Sequence, residues 1–189
     1  MIVSDKSNNV TLHILQQNTH KSKEVSIEIN KWLEGLNGSE GVALLQEPHN
    51  RRGKISCIGN GYNTYTTNTK NNVRAAIITT KGLNCWKLDQ FCTEDQSTIA
   101  LYTGANKITV IASVYMPYDS PEPPPSDTLT NLITLCEQKN WELLIGADAN
   151  SHNIAWGSND NNNRGEKLMD YLVSTNLYVY LQYRDHANF

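Results

Sequence analysis

The chain is poor in the residues that mark several protein classes. It has two phenylalanines, three methionines and four cysteines in 189 residues. No apolar run approaches the ~18 residues that a membrane-spanning helix needs, which excludes that class. Cys57, Cys85, Cys92 and Cys136 form no C-x-x-C pair and have no matching histidine spacing, which argues against a structural zinc site. Excess basic charge is also missing, since 16 Lys plus Arg stand against 19 Asp plus Glu for a net charge of −3. That argues against a passive nucleic-acid coat. An enzyme acting on phosphodiesters stays open, because a divalent metal held by carboxylates brings its own positive charge to the substrate. The polar stretch 1–9 lacks an apolar signal-peptide core, so the expected setting is intracellular and reducing, with the cysteines as thiols.

What is present supports one sizeable domain, with 39% hydrophobic residues. Residues 1–9 read as a tail and 10–189 as the domain. Residues 10–15 read as a short buried strand. Val25, Ile29, Trp32, Leu33 and Leu36 then recur at helical spacing and stop at Asn37-Gly38. The run 41–46 is apolar and bounded by Gly and Pro, as in a strand buried on both faces. Stretches 54–58, 73–80, 85–91, 97–102 and 108–116 are short, rich in β-branched residues and separated by polar clusters. They predict an antiparallel meander. The proline-rich segment 117–125 must be a loop, because proline lacks the backbone donor and restricts its predecessor. Ser126 suits the cap of a helix carrying Leu129, Leu132, Ile133, Leu135 and Cys136. Residues 141–145 predict another buried strand, 164–174 a helix, and 177–181 the start of one more strand.

Chemistry-bearing residues fall where these strands end: Asn18, Glu47, Tyr115, Asp148 and Asn150. Loops at strand ends are where scaffolded active sites are built. A carboxylate just past a buried strand is fixed in position yet open to water, which suits Glu47 to metal binding; Gln46-Glu47-Pro48 also fits an ordinary polar strand exit. The segment 146–152 sets Asp148, Asn150 and His152 close together, enough to orient water, hold a phosphate oxygen and move a proton. It fits an Asx-rich turn as well. Arg51, Arg52, Lys54, Lys70 and Arg74 are either contacts for nucleic-acid phosphates or a solvated basic face.

Four segments in order, Leu15-Gln16-Gln17-Asn18, Leu45-Gln46-Glu47-Pro48, Val114-Tyr115-Met116-Pro117 and Gly146-Ala147-Asp148-Ala149-Asn150, resemble the endonuclease/exonuclease/phosphatase superfamily, which includes the apurinic-site endonucleases. Ser151-His152, Trp156-Gly157-Ser158 and Asn163-Arg164-Gly165-Glu166 resemble, more narrowly, the endonuclease domain that precedes reverse transcriptase in non-LTR retrotransposon proteins. The Trp156-Gly157 and Arg164-Gly165-Glu166 segment speaks against relatives that hydrolyse phosphoinositides or sphingomyelin. The resemblance implies an α/β fold: a four-layer α/β sandwich of two mixed β-sheets flanked by helices, the DNase I-like arrangement. It further implies that Glu47 binds Mg²⁺, with Mn²⁺ as a substitute, and that Asn18 orients neighbouring acidic groups. Asp148 would align or deprotonate the attacking water, Asn150 and Tyr115 would hold the scissile phosphate, and His152 would belong to the rim. DNA is the implied substrate, a reverse transcriptase domain the implied partner in a full-length polyprotein, no membrane is involved, and the nucleus is the implied location. Family members continue past 177 with further strands and a final Ser-Asp-His. Asp185-His186 copies the dipeptide without the preceding Ser, so the domain is expected to lack its C-terminal strands. The competing expectation is a catalytically dead remnant with at most weak nucleic-acid binding.

Overall fold

The computed structural model describes residues 2–4, 11–67, 72–104 and 106–180. Eleven strands and three α-helices follow one another along these residues: β1 Ile2–Ser4, β2 Thr11–Asn18, α1 Lys23–Glu34, β3 Glu40–Gln46, β4 Asn50–Arg51, β5 Lys54–Ile55, β6 Tyr62–Tyr65, β7 Ala75–Thr80, β8 Cys85–Lys87, β9 Gln96–Tyr102, β10 Ile108–Tyr115, α2 Asp127–Lys139, β11 Glu142–Asp148 and α3 Asn163–Val173. One sheet has the order β1-β2-β3-β7-β6 and the other β11-β10-β9-β8, with β4-β5 a separate two-stranded ribbon. Each large sheet is mixed: β2 runs parallel to β3 and β10 parallel to β11, while the remaining pairs are antiparallel.

Alternation along the strands builds the layers, because successive side chains leave a strand on opposite faces. In β3, Val42 and Leu44 face the second sheet and pack with Ile77, Ile99 and Ile111. Ala43 and Leu45 face outward and pack with Ile29 and Leu33 of α1. Across the molecule, Ala100, Val110 and Ala112 meet Leu129, Leu132, Ile133 and Cys136 of α2. The order is therefore helix, sheet, sheet, helix, as the sequence led one to expect.

Both flanking helices begin with a serine cap. Ser22 Oγ accepts from Val25 N and Ser126 Oγ from Leu129 N, at 3.2 and 3.3 Å, satisfying donors that lack partners in a first turn.

Several expectations need correction. Residues 2–4, read as part of a tail, form β1 and pair antiparallel with the start of β2. The middle strands are not one meander: β6 and β7 join the first sheet, whereas β8, β9 and β10 form the second. The stretch 54–58 contributes only the two-residue β5, and 85–91 divides into β8 and the 3-10 turn Asp89–Phe91. Residues 177–180 form no strand, and Tyr178 and Tyr180 are 85% and 79% exposed. Strand composition yields no strand without a neighbouring edge to complete the ladder. Leu181, Asp185, His186 and Lys70 lie outside the described residues. No helix among the described residues is long and apolar enough to cross a membrane.

Candidate active site

Parallel pairing brings the site together. Asn18 ends β2 opposite Gln46, and Tyr115 ends β10 opposite Asp148. Glu47 immediately follows β3. The C-terminal ends of four strands from two facing sheets thus open on one rim. Asn18 is the bridge between the sheets: its Nδ2 donates to Glu47 Oε2 at 3.3 Å and also to Asp148 Oδ2. One amide therefore holds two carboxylates contributed by different layers.

The surrounding backbone locks these side chains. Glu47 N donates to Arg74 O, and Lys21 N and Thr19 Oγ1 donate to Glu47 O, at 2.8, 2.8 and 2.6 Å. Asp148 Oδ1 accepts from Asn150 N at 3.2 Å, closing an Asx turn. Asn150 Nδ2 donates to Met116 O at 3.2 Å and so ties this turn to the start of the proline-rich loop. Burial raises the Tyr115 phenol above its ordinary pKa, and the charges of Glu47 and Asp148 push the same way; Arg74 and a hydrogen bond with Asn150 pull it down. The net direction keeps the hydroxyl protonated and able to donate.

His152 stands at the rim. Its ring is 59% exposed and Nδ1 lies 2.8 Å from Asp160 Oδ1. The five other expected residues converge on the strand ends, whereas His152 is turned to its own loop. Sequence reasoning missed two neighbours of Glu47: His20 Nδ1 lies 3.4 Å from Oε2 and Lys21 Nζ 3.9 Å from Oε1. Their position just after a strand-end asparagine is the signal that could have found them. It also missed Asp95, which pairs with Arg74; nothing in the local pattern marks a partner that far along the chain.

The donor set fits a hard divalent cation. Among the described residues no three His, Cys, Asp or Glu side chains are grouped closely enough to enclose an ion. Glu47 and Asp148 share one amide bridge, however, and Mg²⁺ is usually held by one or two carboxylates with waters and substrate phosphate completing the shell. Glu47 and Asp148 are the carboxylates of this rim that could hold such an ion.

A sandwich of two mixed sheets with helices outside is the DNase I-like fold. Residues 109–189 match the model of a family described as endonuclease-reverse transcriptase. The structure is similar to the endonuclease domain of TRAS1, a telomere-specific non-LTR retrotransposon, with a TM-score of 0.68 and 21% sequence identity over 89% of this chain and 73% of that one. No curated protein sequence matches the chain. The fold implied by the motifs is the fold found, and the family match takes in the two later motif segments, Val114-Tyr115-Met116-Pro117 and Gly146-Ala147-Asp148-Ala149-Asn150.

Proposed function

We propose that this chain is a Mg²⁺-dependent endonuclease that nicks DNA, with Mn²⁺ able to substitute. The observation that carries the proposal is the Asn18 bridge between Glu47 and Asp148 at the junction of the two sheets. In this reading Glu47 holds the cation, which supplies positive charge to the scissile phosphate and the departing oxygen. The Asp148 carboxylate orients a water molecule and takes its proton as the oxygen attacks phosphorus in line; the bond from phosphorus to the 3′ oxygen breaks, and that oxygen takes a proton from solvent water. Tyr115 donates its phenolic hydrogen to a phosphate oxygen. Asn150, anchored by one amide hydrogen to Met116 O, presents the other to the same phosphate. Asn18 keeps the two carboxylates from drifting apart. His152 stands at the rim, held by Asp160.

The similarity to a retrotransposon endonuclease supports a role in which the nick's 3′ hydroxyl primes reverse transcription. In this reading the chain acts in the nucleus, beside a reverse transcriptase domain of the same polyprotein. The test is relaxation of supercoiled plasmid by the purified chain, with Mg²⁺ or with chelator, beside Glu47→Ala and Asp148→Ala. Nicking that requires the metal and both carboxylates is the expected result. A folded chain that never nicks would overturn the proposal and favour a remnant that retains the fold without the chemistry.

A further inference from the structure

The inference starts from Arg74, one of the basic residues that the sequence offers as a phosphate contact. Its side chain is already engaged. Nη2 donates to Asp95 Oδ2 at 2.7 Å, and Nε makes an ion contact with Oδ1 that lacks hydrogen-bond geometry, so one charge-assisted hydrogen bond holds the pair. The guanidinium carbon lies 5.5 Å from the centre of the Tyr115 ring, within cation–π range. Arg74 and Asp95 are only 26% and 30% exposed.

The backbones of the same two residues reach the site. Arg74 directly precedes β7, and its carbonyl accepts from Glu47 N at 2.8 Å. Asp95 directly precedes β9, and its carbonyl accepts from Tyr115 N at 2.8 Å. Arg74 N and Ala75 N both donate to Glu94 O, at 2.7 and 3.1 Å, so the two strand entrances are fastened by main chain and side chain together. Glu47 directly follows β3 of the first sheet, and Tyr115 ends β10 of the second. A continuous path therefore runs Glu47, Arg74, Asp95, Tyr115 across the gap between the sheets.

We infer that Arg74 and Asp95 are positioning residues, a brace that fixes Glu47 of one sheet against Tyr115 of the other and holds the Tyr115 ring in place. The inference rests on the nuclease reading given above. Stability alone explains the pair poorly, since half-buried ion pairs often fail to repay their desolvation. The Asp95 carboxyl is held above its ordinary pKa, first by burial and further by the charges of Glu94 and Asp119, against the opposing pull of Arg74. A brace needs no net gain in stability.

The experiment compares wild type with Asp95→Asn, Arg74→Lys and the reversed pair Arg74→Asp/Asp95→Arg. Three readouts are taken on folded protein: Mn²⁺ affinity of the chain alone by water-proton relaxation, kcat and KM for plasmid nicking, and the salt dependence of duplex binding in chelator. Loss of a residue that orients a metal ligand commonly costs about 10- to 100-fold in affinity or activity. Asp95→Asn and Arg74→Lys should lower kcat and Mn²⁺ affinity by about that range, with KM and the salt slope nearly unchanged. The reversed pair should recover a large part of both. A salt slope that falls by about one, with kcat unchanged, would make Arg74 a phosphate contact instead. Unchanged kcat and Mn²⁺ affinity with a lowered melting temperature would leave only a structural role and overturn the inference. If wild type binds Mn²⁺ but never nicks, the nuclease reading fails alone, and the Mn²⁺ affinities still decide whether the brace exists.

Discussion

Gln46 is the polar residue on which the two sheets are pinned together, and replacing it by methionine isolates what that pin contributes. Its side chain is fully buried. Oε1 accepts from Gln16 Nε2 at 2.7 Å, and Nε2 donates to Ser113 Oγ and Gly146 O, both at 3.0 Å. Methionine has nearly the same length and is flexible, so little cavity forms. Gln16 is exposed and can turn to water, and Ser113 Oγ keeps its bond to Leu45 O at 2.9 Å. Gly146 O loses its side-chain donor in a buried place. Two ordinary hydrogen bonds at about 1 kcal/mol each, plus about 1–3 kcal/mol for one stranded acceptor, less some gain from the apolar thioether, give a loss of about 2–4 kcal/mol. For a chain of this size that is a fall in Tm of roughly 5–15 °C.

Urea unfolding followed by tryptophan fluorescence and by circular dichroism measures this loss, with coincidence of the two curves establishing that one transition is observed. Gln46→Ala should lose more, because a cavity is added to the missing bonds. A methionine variant within about 0.5 kcal/mol of wild type, the range of an ordinary surface change, would refute the claim that this network joins the sheets.

Two further outcomes follow from the packing. An alanine at Gly165 would bring its Cβ within 1.8 Å of His152 O and 2.5 Å of His152 C, both backbone atoms; Gly165→Ala should cost about 3 kcal/mol or more by thermal melt, and an alanine tolerated without loss would show that α3 is not seated on this turn. Burial pushes the Cys136 thiol up to about 11, so at pH 8 roughly one molecule in a thousand carries the thiolate there. Labelling of Cys136 should be slow and climb about tenfold per pH unit, whereas the exposed Cys57 reacts readily; mass spectrometry showing equal rates at pH 8 in the native state would contradict it.

Elements with a strong period were legible in the sequence. The helix carrying Leu129, Leu132, Ile133 and Cys136 begins at the expected Ser126 cap, because apolar spacing and cap chemistry point to the same residue. The strand ending at Gln46 announces itself by an apolar run that no surface element would carry. Asn18, Glu47, Tyr115, Asp148 and Asn150 were legible as residues at or just past strand ends. Pairing was not legible. Short β-branched runs such as Ala75–Thr80 and Gln96–Tyr102 carry no mark of which sheet they will join, since register depends on burial and turn geometry supplied by distant neighbours. The same holds for Arg74, whose charge reads as a surface feature until Asp95 is brought against it. Gln46 looks like a polar strand exit, and only the meeting of Ser113 and Gly146 across the gap explains a buried amide.

Backbone strain at Glu47 connects these levels. Along β3, Val42 and Leu44 face the second sheet and Ala43 and Leu45 face α1, and Gln46 again turns to the second sheet. Continued alternation would send the next side chain outward, beneath α1 and away from Asp148. Glu47 instead has φ of +47°, in the left-handed region that costs a residue with a Cβ about 1–2 kcal/mol. Its main-chain N–H and carbonyl are engaged by Arg74, Lys21 and Thr19, which offsets that cost and leaves little freedom to relax. The break in alternation is what allows the carboxylate to reach Asn18 and, through it, the opposite sheet. Asn150 adopts φ of +44° on the facing turn, a conformation asparagine tolerates well. The strain thus lies at the position where the pleat of a regular strand and the geometry of a shared site make opposite demands, and the site's geometry prevails.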